Sequence, residues 1–376
     1  MSKLRTPRLS LTCFVTGFAW ITRLPVPVWL ILLAGLLLTA WATSIAQREH
    51  ENKVRARFES HLDRLHDEVQ RRIQLAEYGL RGARAAFAMN PQLGRDEFAR
   101  MVQARHLLRE FPGQQGFAFV QRVERGDVAA FVQRERAATG LPYPAHTQGE
   151  SADLWLVRYV EPFEPNRGAW GMDLGADPVR REAVERAVDW NLPVLSGRIT
   201  VAQDPLRGVG WLMALPVFRD PSAGTHLTHR DDLVGVLVAP IQANDLLDDI
   251  PSFADFLIDV RLYDGPPEEG RALFDTMESV DSRILQPRPD RFAGRQFTAD
   301  RRLQVNGRTF VLRAGSTPEL EETIHGIAPS AIGVAVPGLL LTLLVAFSAG
   351  VLLQGRSRAV RLAQYMTADL AQATAA

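Results

Sequence analysis

Two uncharged hydrophobic runs, Val26–Ala46 and Ala331–Leu353, bracket this chain and constrain its fold more than any other feature. Each run is as long as the roughly 20 residues that a helix needs to cross a bilayer. The first run exceeds the roughly 7–15 apolar residues of a cleavable signal peptide. Trp29 and Trp41 stand near its ends, where indole side chains favour the membrane interface. We therefore predict transmembrane helices over 26–46 and 331–353 with a folded domain between them.

Basic residues beside the second run indicate which side of the membrane the domain faces. The stretch 316–330 contains no Lys or Arg, whereas three arginines lie within 356–361. Because Lys and Arg accumulate on the cytoplasmic side of membrane segments, we expect 1–25 and 354–376 in the cytoplasm. Residues 47–330 then face outward. In a bacterium with an outer membrane, this predicts a two-pass inner-membrane protein whose middle lies in the periplasm.

The segment Gln47–Met89 contains no proline, and its apolar residues recur at steps of mostly three and four. These positions are Val54, Phe58, Leu62, Leu65, Val69, Ile73, Ala76, Leu80, Ala83 and Phe87. Such spacing is typical of one face of a long helix, here of about 60 Å. We predict a stalk helix over 47–89, ended by Asn90-Pro91. Its apolar face has two compatible interpretations: it packs along the chain's own domain, or it forms the seam of a homodimer.

Beyond the stalk, short aromatic and β-branched segments alternate with helical ones, which predicts an α+β fold with mixed sheets. The predicted strands lie at 116–123, 154–160, 195–201, 210–218, 233–241, 256–263 and 302–312. Asp177-Pro178 predicts a helix start, and Asn306-Gly307 predicts a tight hairpin turn. The polar stretch 220–232 suggests a boundary between a subdomain over 90–232 and a second over 233–330.

Composition and motifs argue against several classes of function. A net charge of zero argues against a nucleic-acid partner. The sequence has no nucleophile elbow, no P-loop and no HExxH metal motif. His226 and His229 are close together in sequence, but no Cys lies near them and they do not form an HExxH pattern, so a solvated loop is the expected interpretation. We expect no enzymatic activity, no cofactor and no metal site in this chain.

Four segments carry a resemblance to a known family. They are FPGQQGFAFVQRV over 111–123, YVEPFEPNRGAWGMDLGADPVRREAVERA over 159–187, PVLSGRITVAQ over 193–203 and LPVF over 215–218. Together they resemble the CHASE domain, the cyclase/histidine kinase-associated sensory extracellular domain, over about 73–313. The resemblance implies a long stalk helix followed by two tandem PAS-like subdomains. It also implies that a small-molecule ligand binds in the membrane-distal subdomain, 90–232.

The resemblance suggests where that ligand lies. We expect it to contact Phe119, Trp170, Asp173, Arg180, Arg181, Ser196, Thr200 and Ala214. In the cytokinin receptors of this family, adenine recognition relies on an acid and a threonine, whose places Arg180 and Ala214 take, so cytokinin is not expected. Guanidinium groups only donate hydrogen bonds and pair with carboxylate or phosphate, which favours an anionic ligand. Alternatively, the two arginines form salt bridges with Glu182, Glu185 or Asp177.

Together these features predict the sensor portion of a bacterial transmembrane signalling receptor. Binding would be relayed through the second transmembrane helix to 354–376, which resembles the start of a signalling helix. The output module, of the histidine kinase type found in two-component systems or of the diguanylate cyclase type, is expected outside this sequence. The alternative is a membrane-anchored periplasmic scaffold, or a protein-binding module without a small-molecule ligand. A cavity in the distal subdomain would distinguish the two.

Overall fold

The computed structural model describes residues 26–201, 208–219, 232–253, 257–267, 272–276 and 292–375. The chain divides into two compact units. One is Ala56–Glu321, and the other contains the described residues on either side of it. His226, His229 and the predicted cytoplasmic segment 1–25 lie outside the described residues.

Helices and antiparallel strands alternate along the described chain. The helices are α1 (Val26–Met89), α2 (Arg95–Gln103), α3 (Leu107–Glu110), α4 (Val128–Thr139), α5 (Phe163–Asn166), α6 (Pro178–Trp190), α7 (Ala243–Leu247), α8 (Ile250–Phe253), α9 (Pro318–His325) and α10 (Pro329–Ala375). The strands are β1 (Phe117–Glu124), β2 (Asp153–Glu161), β3 (Val194–Leu195), β4 (Ile199–Thr200), β5 (Val209–Phe218), β6 (Leu233–Gln242), β7 (Ile258–Asp264), β8 (Ala272–Asp275), β9 (Thr298–Val305) and β10 (Arg308–Ser316). The predicted α+β class and the long N-terminal helix are confirmed, but the described sheets are antiparallel and not mixed.

The first sheet has the strand order β2-β1-β6-β5-β3, and β4 also pairs with β5. The assignment of strand 233–241 to the second subdomain is wrong, because β6 lies between β1 and β5. Strands β5 and β6 are paired from Gly210–Gln242 to Phe218–Leu233. The residues that connect them therefore join two neighbouring strands of one sheet and not two domains.

The second sheet has the order β8-β7-β10-β9, again antiparallel. Asn306 and Gly307 join β9 to β10 with φ angles of 48° and 78°. Positive φ at both central residues is the signature of the predicted type I′ turn. This hairpin is the last pair of strands in the described chain before α10.

The part of α1 within the large unit packs against both sheets with its apolar face. The predicted positions from Phe58 to Phe87 are all buried. The Phe87 ring is stacked 4.4 Å from Phe119 of the first sheet, and the Phe58 ring lies 5.7 Å from Phe297 beside the second. This confirms packing along the chain's own domain. A homodimer stays a prediction, and it would need a face other than this one.

Two helices, α1 and the segment Pro329–Gln364 of α10, are long and apolar enough to cross a membrane. Within the smaller unit they approach each other through small residues. A Cβ atom on Gly338 would lie 2.7 Å from the Thr39 side chain, and Gly35 faces Thr342 in the same way. Each threonine hydroxyl donates a 2.8 Å hydrogen bond to the carbonyl of the glycine four residues earlier. Small residues at such contacts are typical of helix pairs in membranes.

Candidate functional site

The first sheet has α1 on one face and a cavity of about 50 Å³ on the other. The cavity is lined by Gly116, Phe117, Ala118, Val157, Val160, Asn166, Ala169, Met172, Leu174, Arg180, Ile199, Val201, Leu212, Val238 and Pro240. Almost all of this wall is apolar. Arg180 supplies the only formal charge among the described residues that line it.

Helix α6 places Arg180 beside the cavity. Asp177 is the N-cap, and its carboxylate accepts hydrogen bonds from the backbone N–H groups of Val179 at 2.8 Å and Arg180 at 3.1 Å. Pro178 is the first helical residue, as the sequence predicted. The cap fixes the first helical turn, so Arg180 is held at a defined position on the cavity wall.

The Arg180 guanidinium is only partly satisfied by the protein. Its Nη2 donates to the backbone carbonyl of Thr200 at 2.7 Å, and its Nη1 lies 3.4 Å from the Met172 sulfur. A thioether is a weak acceptor. Within the described part of the chain, no carboxylate pairs with Arg180. This half-buried cation therefore has hydrogen-bonding capacity left for an anion.

The neighbouring Arg181 has a structural role. It pairs with Asp153 at 3.0 Å and with Glu185 at 2.9 Å, so the predicted alternative of a salt bridge to Glu185 describes Arg181. Burial alone would raise the pKa of Asp153, but hydrogen bonds from Arg122 and Arg181 outweigh burial and hold that pKa below its usual value. Asp153 is thus an ionised anchor between α6 and β2.

The other predicted polar contacts also serve the fold. Asp173 accepts hydrogen bonds from the backbone N–H groups of Trp155 and Gly175, both at 2.8 Å. The Ser196 hydroxyl accepts from the Leu212 N–H at 2.8 Å and is buried. Thr200 contributes its backbone carbonyl to Arg180, while its side chain is exposed. None of these three is among the residues that line the cavity.

The predicted aromatic and small contacts all lie outside the lining of the cavity. Phe119 points to the opposite face of the sheet, where it stacks on Phe87. Trp170 belongs to the core, and its Nε1 donates to the Arg158 carbonyl at 3.2 Å. Ala214 is fully buried in the same core. Of the eight predicted residues, the structure brings only Arg180 to the cavity wall.

A second polar cluster lies at the end of β2, and sequence reasoning missed its main residue. The Arg95 guanidinium lies 4.3 Å from the Phe163 ring centre and 5.0 Å from that of Trp170. Burial raises the pKa of the nearby Glu161 carboxyl, and the charge of Arg95 opposes that rise. Arg167, which follows Glu161 by six residues, pairs with Glu164 on the surface. Arg95 had no sequence signal, since its aromatic partners lie some 70 residues away.

The segment Val194–Val201, here called the relay loop, connects the cavity with the second sheet. Ile199 and Val201 line the cavity. The backbone N–H of Arg198 donates to Asp264 at 3.0 Å. Arg308, the first residue of β10, holds the same carboxylate through two N–H groups, at 3.0 and 2.7 Å. One short segment thus lines the cavity and shares the Asp264 carboxylate with β10, the strand that precedes α9 and α10.

The hairpin turn adds a second connection between the relay loop and the second sheet. The N–H of Leu195 donates to the Asn306 carbonyl at 3.0 Å. The Asn306 side chain donates to Glu77 on α1 at 2.8 Å. The relay loop, the second sheet and α1 are therefore joined by direct hydrogen bonds.

No cluster of three or more His, Cys, Asp or Glu side chains that could hold a metal ion occurs among the described residues. The two loop histidines fall outside that part of the chain.

Part of the chain matches a known protein family. The family model of the CHASE domain matches residues 91–274. No curated protein is significantly similar to the chain. The solved structures that are similar to it include a bacterial receptor and two chemoreceptor domains.

The extracellular ligand binding receptor from Desulfohalobium retbaense is 16% identical, with a TM-score of 0.45 over 69% of this chain. The match spans only 40% of the length of that receptor chain. The ligand-binding domain of the Pseudomonas aeruginosa amino acid chemoreceptor PctC, in complex with GABA, is 13% identical, with a TM-score of 0.36 over 66% of this chain and 94% of that one. The periplasmic sensory domain of the Campylobacter jejuni chemoreceptor Tlp1 is 11% identical, with a TM-score of 0.35 over 75% and 96%.

Proposed function

Residues 91–274 of this chain are a CHASE domain, and we propose that the domain senses a small molecule outside the bacterial inner membrane. The observation that carries this proposal is the cavity beside the first sheet. Its wall is apolar, and its single guanidinium has no carboxylate partner among the described residues. Concave apolar sites with a few convergent polar groups are the usual form of small-molecule sites. The ligand in this proposal carries an anionic group that pairs with Arg180.

The proposed topology has two membrane crossings, with 47–330 in the periplasm. It is supported by the two apolar helices and by the basic residues that follow the second one. In this arrangement the two sheets belong to tandem PAS-like subdomains. The distal subdomain extends to the end of β6 at Gln242, ten residues beyond the boundary at 232 that the sequence indicated.

The proposed signal travels from the cavity through the relay loop to the second sheet. Arg180 holds the loop at Thr200, and Asp264, which is itself bonded to Arg308, holds it at Arg198. Strand β10, which begins at Arg308, leads along the chain to α9 and α10. A ligand changes this path only if it binds one arrangement of the loop more tightly than the other. The output module that α10 would control is a histidine kinase or diguanylate cyclase outside this sequence.

The alternative proposal is a periplasmic scaffold that binds protein and no small molecule. A filled distal core would have favoured it. The cavity of about 50 Å³ favours the sensor.

A thermal-shift screen tests the sensor proposal. The full chain in detergent micelles is screened against small metabolites, since a compound that binds the native state raises Tm. We expect at least one compound to raise Tm. We also expect Ala118→Leu, which fills the cavity wall, to abolish that shift. Ala129→Leu, on the exposed side of α4, is the matched control and should leave the shift unchanged.

Two results would contradict the sensor. One is a complete absence of Tm shifts across the screen. The other is a shift that Ala118→Leu leaves intact, because the ligand would then bind elsewhere.

A further inference from the structure

The chemistry of the cavity also limits which anion it accepts. We infer that the ligand is a short-chain monocarboxylate of two to four carbons that carries no amino group. This inference rests on the proposed sensor function and specifies the ligand class of the same site. It follows from the charge balance, the volume and the free donors of the cavity.

The charge balance excludes amino acids and amines. Arg180 is the one charged residue among the described residues that line the cavity, and none of them is acidic. An α-ammonium group would enter without a carboxylate to pair with it, and a buried charge without a partner is strongly unfavourable. Phosphate carries more negative charge than one guanidinium balances. A single carboxylate matches the single cation.

The volume limits the body of the ligand to a few carbon atoms. The cavity measures about 50 Å³. For comparison, an engineered apolar cavity of about 150 Å³ binds benzene. Ile199, Leu212, Val157 and Val238 form apolar walls against which a short alkyl chain would be removed from water. Acetate, propionate and butyrate have this size and this division into an apolar and an anionic end.

The guanidinium has a donor available for the carboxylate. Nη2 is engaged by the Thr200 carbonyl, whereas Nη1 faces the Met172 sulfur at 3.4 Å. Hydrogen bonds from a guanidinium to a carboxylate are far stronger than those to a thioether. A carboxylate that displaces this sulfur would therefore gain a charge-assisted bond at little loss to the protein.

Three matched compounds test the inference by titration calorimetry on the full chain in detergent micelles. Sodium propionate has the predicted chemistry, alanine adds an ammonium group to it, and propionamide removes the charge. We expect propionate to bind, and alanine and propionamide to bind at least about 10-fold more weakly. Acetate and butyrate should bind within about 10-fold of propionate, because each buried methylene changes the affinity only modestly.

Two variants assign the effect to Arg180. Arg180→Gln should weaken propionate binding by about 10- to 100-fold. Arg186→Gln, on the same helix but paired with Glu182 at 3.2 Å, should leave binding unchanged. Arg180→Lys keeps the charge but loses the planar fork, so it should bind propionate weakly and still prefer it to propionamide. If Arg180→Gln lowers the Tm of the free protein, the preference of Arg180→Lys for propionate over propionamide shows whether the charge at this position binds the carboxylate.

The outcomes separate this inference from the sensor proposal. Equal binding of alanine and propionate would overturn the inference that the ligand is a monocarboxylate without an amino group. An Arg180→Gln variant that binds propionate normally would also overturn it. Propionate could fail to bind while another metabolite raises Tm and Ala118→Leu abolishes that rise. The inferred ligand class would then be wrong, and the proposed sensor function would be supported. If no compound shifts Tm, both fail.

Discussion

The packing of α1 leads to a quantitative prediction for Phe87→Ala. Phe87 is 2% exposed, and its ring lies 4.4 Å from Phe119 and 6.2 Å from Phe98. Replacing a buried phenylalanine by alanine removes its apolar contacts and leaves a cavity, at a cost of about 3–5 kcal/mol. The stacked partner adds to that cost, because aromatic pairs contribute beyond the area that they bury. We expect a loss of unfolding free energy in the upper half of this range.

The assay is thermal unfolding of the full chain in detergent micelles, followed by near-UV circular dichroism. For a unit of this size, 1 kcal/mol corresponds to a Tm change of roughly 2–4 °C. Phe87→Ala should therefore lower Tm by about 8–20 °C. The matched control is Tyr78→Ala on the same helix, where the side chain is 64% exposed. It should change the unfolding free energy by no more than about 0.5 kcal/mol.

Two results would refute the packing argument. A Tm loss below about 2 °C for Phe87→Ala would mean that this face is not buried within one chain. A seam between two chains would instead make the Tm of the unsubstituted protein rise with protein concentration, and Phe87→Ala would remove that dependence.

Three further predictions concern the relay loop, the helix pair and pH. Asp264→Asn should leave ligand affinity within about 3-fold but reduce the response of an output domain fused after α10, measured as its enzymatic activity with and without ligand. Gly338→Leu should separate the apolar helices by colliding with Thr39, measured as lower Tm and lost cross-linking of cysteines placed at their contact. Burial raises the pKa of Glu161 in the folded chain, so stability should fall as pH rises from the unfolded value through the folded one. Glu161→Gln should flatten that decline in urea titrations at a series of pH values, and an unchanged slope would contradict it.

Local features of the fold could be read from the sequence because local residues determine them. Asp177 and Pro178 start α6 through a cap and a fixed φ, which depend on neighbours within three residues. Asn306 and Gly307 form the hairpin turn because they tolerate positive φ. The apolar spacing of α1 likewise predicted its buried face, because residues three and four positions apart lie on the same side of a helix.

The partner of β6 was not predictable in this way. A polar stretch precedes Leu233–Gln242, and such a stretch is equally typical of a hairpin connection and of a linker between domains. The choice depends on strands far away in sequence, since β1 pairs with β6 across more than 100 residues. Pattern alone carries no information about that distance.

The candidate site shows the same limit at the scale of single residues. In β1, Ala118 lines the cavity and the adjacent Phe119 faces α1. Successive side chains of a strand point to opposite faces, but the first four residues of β1, FAFV, are apolar on both faces, so no polar alternation marks which face holds the cavity. Arg180 and Arg181 differ likewise by one helical step. One reaches the cavity and the other pairs with Asp153.

In the proposed mechanism, binding and signalling share the Arg180 guanidinium. It holds the relay loop at Thr200 while the same group pairs with the ligand. A carboxylate that strengthens this bridge favours the arrangement seen here, and one that draws the guanidinium away releases the loop. In both cases the difference in ligand affinity between the two arrangements must arise at this group, because the rest of the described cavity wall offers only apolar contacts and Asn166. The Asn166 amide is already bonded to the carbonyls of Gln115 and Pro162. Arg180 is therefore where ligand chemistry can be converted into movement of the relay loop.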